Sequence, residues 1–122
     1  QNELFQVILN LFSNSIDVLS SSQIENKIIY IKIYHNENNL YIEFLDNGGG
    51  IKDEFINRVF EPYFTTKHKS QGTGIGLYMS LQIVTKHLNG EISVKNDTFI
   101  ENNTAYFGAK FTILLPIHLQ KN

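Results

Sequence analysis

Gly72, Gly74 and Gly76 alternate with Thr73 and Ile75, and the run passes through Leu77 straight into an amphipathic pattern of Leu77, Leu81, Val84 and Leu88. Glycine lets the backbone come close to a ligand where a Cβ would intervene. A helix start adds unpaired N–H groups and a partial positive charge. Together they suit a phosphate cradle. The third glycine comes too early for the dinucleotide fingerprint, and no Lys followed by Ser or Thr succeeds the last one, as a P-loop requires. A glycine triplet alone equally describes a flexible loop ahead of a helix, so its weight depends on two further features.

The first is Asp46, at the end of a strand pattern, followed by Asn47, Gly48, Gly49, Gly50 and Ile51. Six of the eight glycines thus lie in two clusters. A backbone without Cβ atoms at Gly48 and Gly50 admits a flat aromatic ligand, and an aspartate beside it can accept a hydrogen bond from an exocyclic amine. The second feature is the opening segment. In residues 2–19, Leu4, Val7, Ile8, Leu11, Phe12, Val18 and Leu19 recur at helical spacing and predict one broad core face. Winding at about 100° per residue gathers Gln6, Asn10, Ser13, Asn14 and Asp17 on the other side. That flank holds no Lys and is rich in amide and carboxylate oxygen, the hard ligands Mg²⁺ accepts while keeping several waters.

Other elements must position these groups. Residues 27–34 alternate Ile29, Ile31 and Ile33 with Tyr30, Lys32 and Tyr34, which predicts a half-buried strand. Asn38 and Asn39 give a turn, and residues 40–45 a second strand hairpinned to the first. Residues 52–59 read as a short helix with Asp53 and Glu54 in its first turn, and Pro62 stops any helix beyond it. Residues 65–71 contain no apolar side chain, which predicts a mobile loop. Gly90 reads as a C-cap. Residues 91–95 and 105–115 read as two closing strands joined by a polar connection over 97–104, and Pro116 ends the last.

The 122 residues allow one domain with a single core, and 42% apolar residues suit a packed globule. A net charge of -2 offers no global field for nucleic acid, so any anion is held by local geometry. With no Cys there is no disulfide, thiolate metal site or cysteine nucleophile, and a reducing compartment fits. No apolar run reaches the roughly 18 residues of a membrane span. The chain is expected to be a piece of a longer protein.

A helix with paired Asn, a strand ending in Asp-x-Gly-x-Gly, a Phe-x-x-x-Phe segment and Gly-x-Gly-x-Gly at a helix start follow one another in this order. The constellation resembles the catalytic, ATP-binding domain of the two-component sensor histidine kinases, within the superfamily that includes gyrase, the large heat-shock chaperone and the mismatch-repair ATPases. Residues 10–14 resemble its N box, 46–50 its first glycine box, 60–67 its F box, 71–77 its second glycine box and 111–116 its closing strand. The Phe64, Thr65, Thr66, Lys67 version of the F box resembles the nitrogen-regulator type of sensor kinase. The resemblance spans nearly the whole chain.

It implies a single domain over 1–122 with an α+β, two-layer sandwich of the Bergerat type: a mixed, largely antiparallel sheet with helices on one face. It implies ATP and Mg²⁺ as cofactors, with Asn14 as metal ligand, Asn10 beside the phosphates, Asp17 among the nucleotide-binding residues, and Asp46 accepting from the adenine amine. Gly48, Gly50 and Ile51 would line the base. Gly72, Thr73, Gly74, Ile75, Gly76 and Leu77 would meet the phosphates, with residues 61–73 as a lid. Phe60, Phe64, Thr66, Lys67 and Thr112 complete the implied nucleotide site, Lys67 towards the γ-phosphate. Ala109 departs from the family, which commonly carries Thr or Ser there after a glycine.

The superfamily's ATPases carry a water-activating Glu at the position matching Asn10. An amide is no general base, so slow hydrolysis is expected and the γ-phosphate is left for an outside nucleophile. The resemblance implies a histidine on a separate dimerisation domain of the same protein, then a response regulator receiver domain. His35, His68, His87 and His118 do not sit in the helical His-Glu setting of a phosphoacceptor. The fragment is expected to be a cytoplasmic monomer without direct membrane contact, its parent a homodimer that can be membrane-anchored. The alternatives are a module that binds nucleotide without transferring phosphate, an anti-sigma-type serine kinase, and a gyrase-like ATPase, which Asn10 disfavours.

Overall fold

Val7, Leu11, Ser15 and Leu19 recur every four residues and are the buried positions of helix α1 (Asn2–Ser20). The period of 3.6 residues per turn brings them into one stripe. In the computed structural model, which describes residues 2–64 and 75–117, that stripe faces a four-stranded sheet. Its strands are β1 (Ile29–His35), β2 (Asn39–Asp46), β3 (Glu91–Glu101) and β4 (Thr104–Pro116), in the order β1-β2-β4-β3. All three pairings are antiparallel. The parallel component expected of a mixed sheet is absent among the described residues.

Period-two alternation on the central strands assembles the core. Ile113 on β4 pairs with Ile42 on β2 and with Ile92 on β3; Phe111 pairs with Phe44 and with Val94. These rows meet Val7 and Leu11 of α1 and Ile83 and Val84 beyond helix α3 (Gly76–Gln82). Fully burying a side chain such as Phe44 or Leu11 contributes about 1.5–3 kcal/mol. Helices on one face of an antiparallel sheet make a two-layer α+β sandwich. No helix among the described residues is long and apolar enough to cross a membrane.

The opposite face of the sheet combines stacked aromatics, Tyr30 on Phe99 and Tyr34 on Tyr41, with a linked charged group. Lys110 on β4 reaches Asp97 on β3 at 3.1 Å and Glu43 on β2 at 3.9 Å. The Tyr34 hydroxyl donates to Glu43 at 2.6 Å, a bond that pushes its pKa up to about 12.

Several expectations from the sequence are corrected. Strand β1 is not half-buried: Ile33 is 64% exposed and Ile31 is exposed too. It is the edge strand, and α1 packs on β2 and α3 instead. Helix α1 carries a second apolar stripe, Phe5, Leu9, Phe12 and Ile16, all exposed, so Phe12 is not core. The helix α2 (Asp53–Ile56) is one turn long. The pattern from Leu77 to Leu88 forms α3 and then a π-helical turn over Ile83–His87. The polar run 97–104 continues the ladder, and β3 turns into β4 at Asn102 and Asn103, whose φ of 52° and 63° lie in the left-handed region. Asparagine tolerates that region best among residues with a Cβ.

Gly90 is not the left-handed residue after the helix; Asn89 is, at φ 57°. A Cβ on Gly90 would lie 2.3 Å from the Leu114 carbonyl oxygen, so glycine is needed there for close approach to β4. Gly90→Ala is therefore expected to lower stability by about 2 kcal/mol or more, because backbone must move to admit the methyl. Asn89→Gly is expected to leave stability unchanged or raise it by about 0.5–1 kcal/mol. Urea denaturation of both variants checks the pair; a larger loss from the Asn89 change would restore the simple cap.

Candidate functional site

Helix α1 touches both glycine clusters. Near its middle the Asn10 side-chain amide donates to the Gly76 carbonyl at 3.3 Å and to the Ser80 hydroxyl at 3.2 Å, while Gln6 donates to the Asn10 oxygen at 3.0 Å. Ser80, fully buried, donates in turn to the Gly76 carbonyl at 2.9 Å. Asn10 thus fastens the first turn of α3 to α1. Two turns further on, a Cβ built on Gly48 would lie 2.6 Å from Val18 Cγ1. The two contacts are about 12 Å apart along the helix. Asn14 lies between them, half-buried, and Asp17 stands exposed on the same flank.

Strand β2 delivers Asp46 to the helix side, in phase with Ile42 and Phe44. It is 2% exposed. Burial pushes its carboxyl up from the ordinary 3.8, opposed by hydrogen bonds from the Gly48 and Ala109 backbone N–H groups. The Gly48 bond is 2.9 Å and forms an Asx turn. Gly49 and Gly50 follow at φ 92° and 85°, a region that L side chains enter only with strain.

The loop is held from outside. Asn47 accepts from the Ile28 N–H at 2.9 Å and donates to the Asn26 carbonyl at 2.6 Å. Gly49 N–H donates to the Phe107 carbonyl at 3.2 Å. Asn96 accepts from the Ile51 N–H and donates to the Ile51 carbonyl, both at 2.8 Å. A Cβ on Gly50 would fall 2.7 Å from Asn96 Oδ1. The missing side chains of Gly48 and Gly50 therefore make room first for the protein's own atoms, whereas at Gly49 and Gly76 a Cβ would meet nothing within 4 Å.

Phe60 packs edge-on against Phe111 with centroids 6.1 Å apart, and Phe64 lies under the Arg58 guanidinium, 4.6 Å away. Ile51 and Leu77 pack on the core, and Ile75 is half-buried at the start of α3. Thr112 is not brought together with these groups. It alternates with the core residues Phe111 and Ile113 and so lies on the far face of the sheet, opposite Glu43. Thr66, Lys67, Gly72, Thr73 and Gly74, and with them most of the expected lid, lie outside the described residues.

The site also depends on residues that sequence reasoning passed over. Gly108 is the sharpest case, because a Cβ there would lie 1.8 Å from the Asp46 carbonyl oxygen. An isolated glycine within a strand pattern is a signal for close backbone approach. Ser80 and Asn96 carry no such local mark.

Asn14 carries an amide oxygen, a hard donor of the kind Mg²⁺ accepts, with the Asp17 carboxylate on the same flank, whereas the Asn10 oxygen accepts from Gln6. Among the described residues no three His, Cys, Asp or Glu side chains cluster as a protein-only metal cage. That composition fits Mg²⁺, which takes few protein ligands and keeps water.

A helix start tied to α1 and a buried acid with a glycine loop beside the same helix, on one face of an antiparallel sheet, are an arrangement suited to a nucleotide in an α+β domain. Residues 1–119 match the family described as "Histidine kinase-, DNA gyrase B-, and HSP90-like ATPase", and the chain belongs to it. Over 115 residues it is 35% identical to the probable C4-dicarboxylate sensor kinase of Halalkalibacterium halodurans, covering 94% of this chain and 20% of that protein. Over 119 residues it is 34% identical to the signal transduction histidine-protein kinase AtoS of Escherichia coli strain K12, covering 98% of this chain and 17% of that protein. The chain thus spans about a fifth of the length of such relatives. Among solved structures, the catalytic domain of histidine kinase ThkA matches with a TM-score of 0.72 and 27% identity, over 94% of this chain and 67% of that one. The mycobacterial sensor histidine kinase MprB shares the fold with a TM-score of 0.73, at 23% identity and over 94% and 70% of the two chains.

Burying the Asp46 carboxyl has a consequence for stability. With its folded pKa raised above 3.8, the group favours the folded state fully below that value, and this contribution is lost as pH rises through the folded pKa. Asp46→Asn, neutral and of the same shape, should therefore be more stable than the unsubstituted chain near neutral pH, with the advantage shrinking to nothing as pH falls below 3.8. Thermal melts of the two proteins across pH measure this, and an advantage that grows in acid contradicts it.

Proposed function

We propose that this chain is the catalytic, ATP-binding domain of a sensor histidine kinase: it binds Mg-ATP and presents the γ-phosphate to a histidine on a separate dimerisation domain of the same protein. The observation that carries this is the double contact of α1, with Gly76 through Asn10 and with Gly48 through Val18. It gives one ligand two unlike ends, a buried carboxylate beside a glycine loop for a purine and an amide-lined helix start for phosphates. Family membership supports ATP as that ligand.

In this reading Asp46 accepts from the adenine amine, and Gly48, Gly50 and Ile51 supply backbone along the base. Asn14 brings its amide oxygen to the metal, Asn10 lies beside the phosphates, and Asp17 stands one turn beyond Asn14. Bound Mg²⁺ would neutralise phosphate charge. Ile75, Gly76 and Leu77 offer the α3 start, continued by Gly72, Thr73 and Gly74. Phe60 and Phe64 form the base of a lid that includes Thr66 and Lys67. Thr112, on the far face of the sheet, has no part in it.

Transfer breaks the bond from the γ-phosphorus to the β-phosphate bridging oxygen, forms a phosphorus–nitrogen bond to the incoming imidazole and releases ADP. Such a reaction asks for alignment and charge neutralisation more than for covalent help. Asn10 cannot take a proton from water, so the site holds ATP for the histidine rather than hydrolysing it. The phosphoryl group then passes to a response regulator receiver domain. The chain acts as one domain, monomeric alone, within a longer homodimeric kinase facing the cytoplasm.

Isolated, the chain is expected to bind Mg-ATP and ADP and to acquire no phosphate, because acceptor and donor are on different pieces. Labelled ATP tests this: stable label on any residue of the chain refutes it, and steady ATP turnover points to an ATPase. Supplied with a histidine-bearing dimerisation domain, it should form an acid-labile phosphoryl product; an acid-stable product identifies a serine kinase. Titration calorimetry divides the site further. Asp46→Ala should abolish nucleotide binding, whereas Asn14→Ala should remove mainly its sensitivity to EDTA. Unchanged affinity in the Asp46 variant overturns the adenine assignment.

A further inference from the structure

The loop from Gly48 to Gly50 has no side chains with which to fix itself, and two of its three glycines hold left-handed φ angles. A glycine run has more conformational freedom to lose than any other sequence, so a single loop geometry must be imposed from outside. On the side of Ile51 one side chain imposes it. Asn96, on β3 and 45 residues away in sequence, grips both the N–H and the carbonyl of Ile51 at 2.8 Å. Its oxygen also lies where a Cβ of Gly50 would be, 2.7 Å away. Asn96 stands opposite Ala109 in the β3–β4 register. The Ala109 N–H is one of the two that bond the Asp46 carboxyl. The β3–β4 ladder therefore holds the acid with one residue and the glycine backbone with that residue's cross-strand neighbour.

We propose that Asn96 is a positioning residue for purine recognition: by gripping Ile51 it sets the distance between the Gly48–Ile51 backbone and the Asp46 carboxylate, and so fixes adenine affinity and the preference for adenine over guanine without touching the nucleotide. This deepens the nucleotide-binding assignment above and rests on it. A carboxylate accepts from the exocyclic amine of adenine but faces a carbonyl at the matching position of guanine, so discrimination depends on how closely base and acid are held together. A slack loop loses that closeness, while the amide-lined phosphate end, fastened by Asn10, does not feel it.

The test uses the 122-residue chain with ATP, ADP, GTP and inorganic tripolyphosphate as probes. Asn96→Ala is expected to weaken ATP and ADP about tenfold, the effect of leaving a half-buried donor and acceptor unpaired and the loop slack. It should narrow the ratio of ATP to GTP affinity and leave tripolyphosphate binding and the EDTA effect unchanged. Amide exchange at Ile51 should quicken in the same variant. Asn96→Asp supplies a chemical check. Ionised, it repels the Ile51 carbonyl; protonated, it can again both accept and donate. Its ADP affinity relative to the unsubstituted chain should therefore recover as pH is lowered to about 5, since hydrogen bonding to the neutral acid raises its pKa above the ordinary value of about 4.

If Asn96→Ala loses tripolyphosphate and ADP affinity in equal proportion, or keeps its ATP-to-GTP ratio, the positioning role is overturned while the nucleotide assignment stands. Failure of the unsubstituted chain to bind any of the four probes overturns the assignment itself. Should the alanine variant not fold, the pH recovery of Asn96→Asp decides alone, and a constant affinity ratio across pH counts against the proposal.

Discussion

The site exists because β4 crosses the end of β2 at a distance that only glycine permits. At Gly108 a Cβ would overlap the Asp46 carbonyl oxygen, so any other residue would force the two strands apart where β2 ends. Held close, β4 offers the next backbone N–H, that of Ala109, to the Asp46 carboxyl, and the Phe107 carbonyl to Gly49. One missing side chain thus sets the position of the buried acid and of the loop that follows it. The departure at Ala109 matters less than its residue type suggests. The backbone at that position reaches the acid, and backbone geometry is supplied by Gly108 whatever side chain follows.

The second fixed relation is between helices. Among the described residues Asn10 makes three hydrogen bonds, of 3.0, 3.3 and 3.2 Å. Their partners give them meaning, since a carbonyl at a helix start and a fully buried serine leave α3 little freedom to rotate against α1. Beyond Gln82 the backbone widens into a π turn. The chain then reverses at Asn89, and Gly90 lies against β4. The end of this segment is bound to the sheet and its start to α1, while Glu3 meets His87 across the same pair of elements. Attachment at both ends suits the role proposed for its first turn, that of offering N–H groups to an anion in a constant direction.

Much of this was legible in the sequence because it obeys local rules. The pattern located the four described strands, β3 only over its first half, and the opening helix, and the glycine clusters marked two places where backbone conformation is special. The errors share a physical cause: a pattern reports which way side chains alternate, not what covers them. Ile31 and Ile33 alternate as well as Ile42 and Phe44 do, yet β1 is an edge that the helix layer does not reach, so the same pattern ends in exposure. Phe5, Leu9, Phe12 and Ile16 form a second stripe on α1 that hydrophobicity alone could not separate from the core stripe. The turn at Asn102 and Asn103 was hidden because the ladder there is built by a long hairpin with polar positions, and period outranked turn chemistry. Asn96 had no signal at all, because an amide clamp on backbone 45 residues away is a property of the register.

Asp46 is where local consistency is broken most deeply. A strand in phase with Ile42 and Phe44 calls for an apolar residue at its next inward position, and the chain puts a carboxyl there. Two backbone N–H groups compensate its burial only in part, since the net direction of its pKa is still upward. Stability alone gives no reason to retain such a group, because a neutral residue of the same shape would sit there at lower cost. The proposed purine recognition would give one: a buried acceptor in a fixed orientation is strongest where water is excluded, and the same burial that weakens the fold would sharpen its choice of partner. The triple glycine loop follows the same logic. It is the least self-supporting sequence available, and it is placed between Asn47 and Asn96 so that its geometry is dictated by the scaffold rather than by its own side chains.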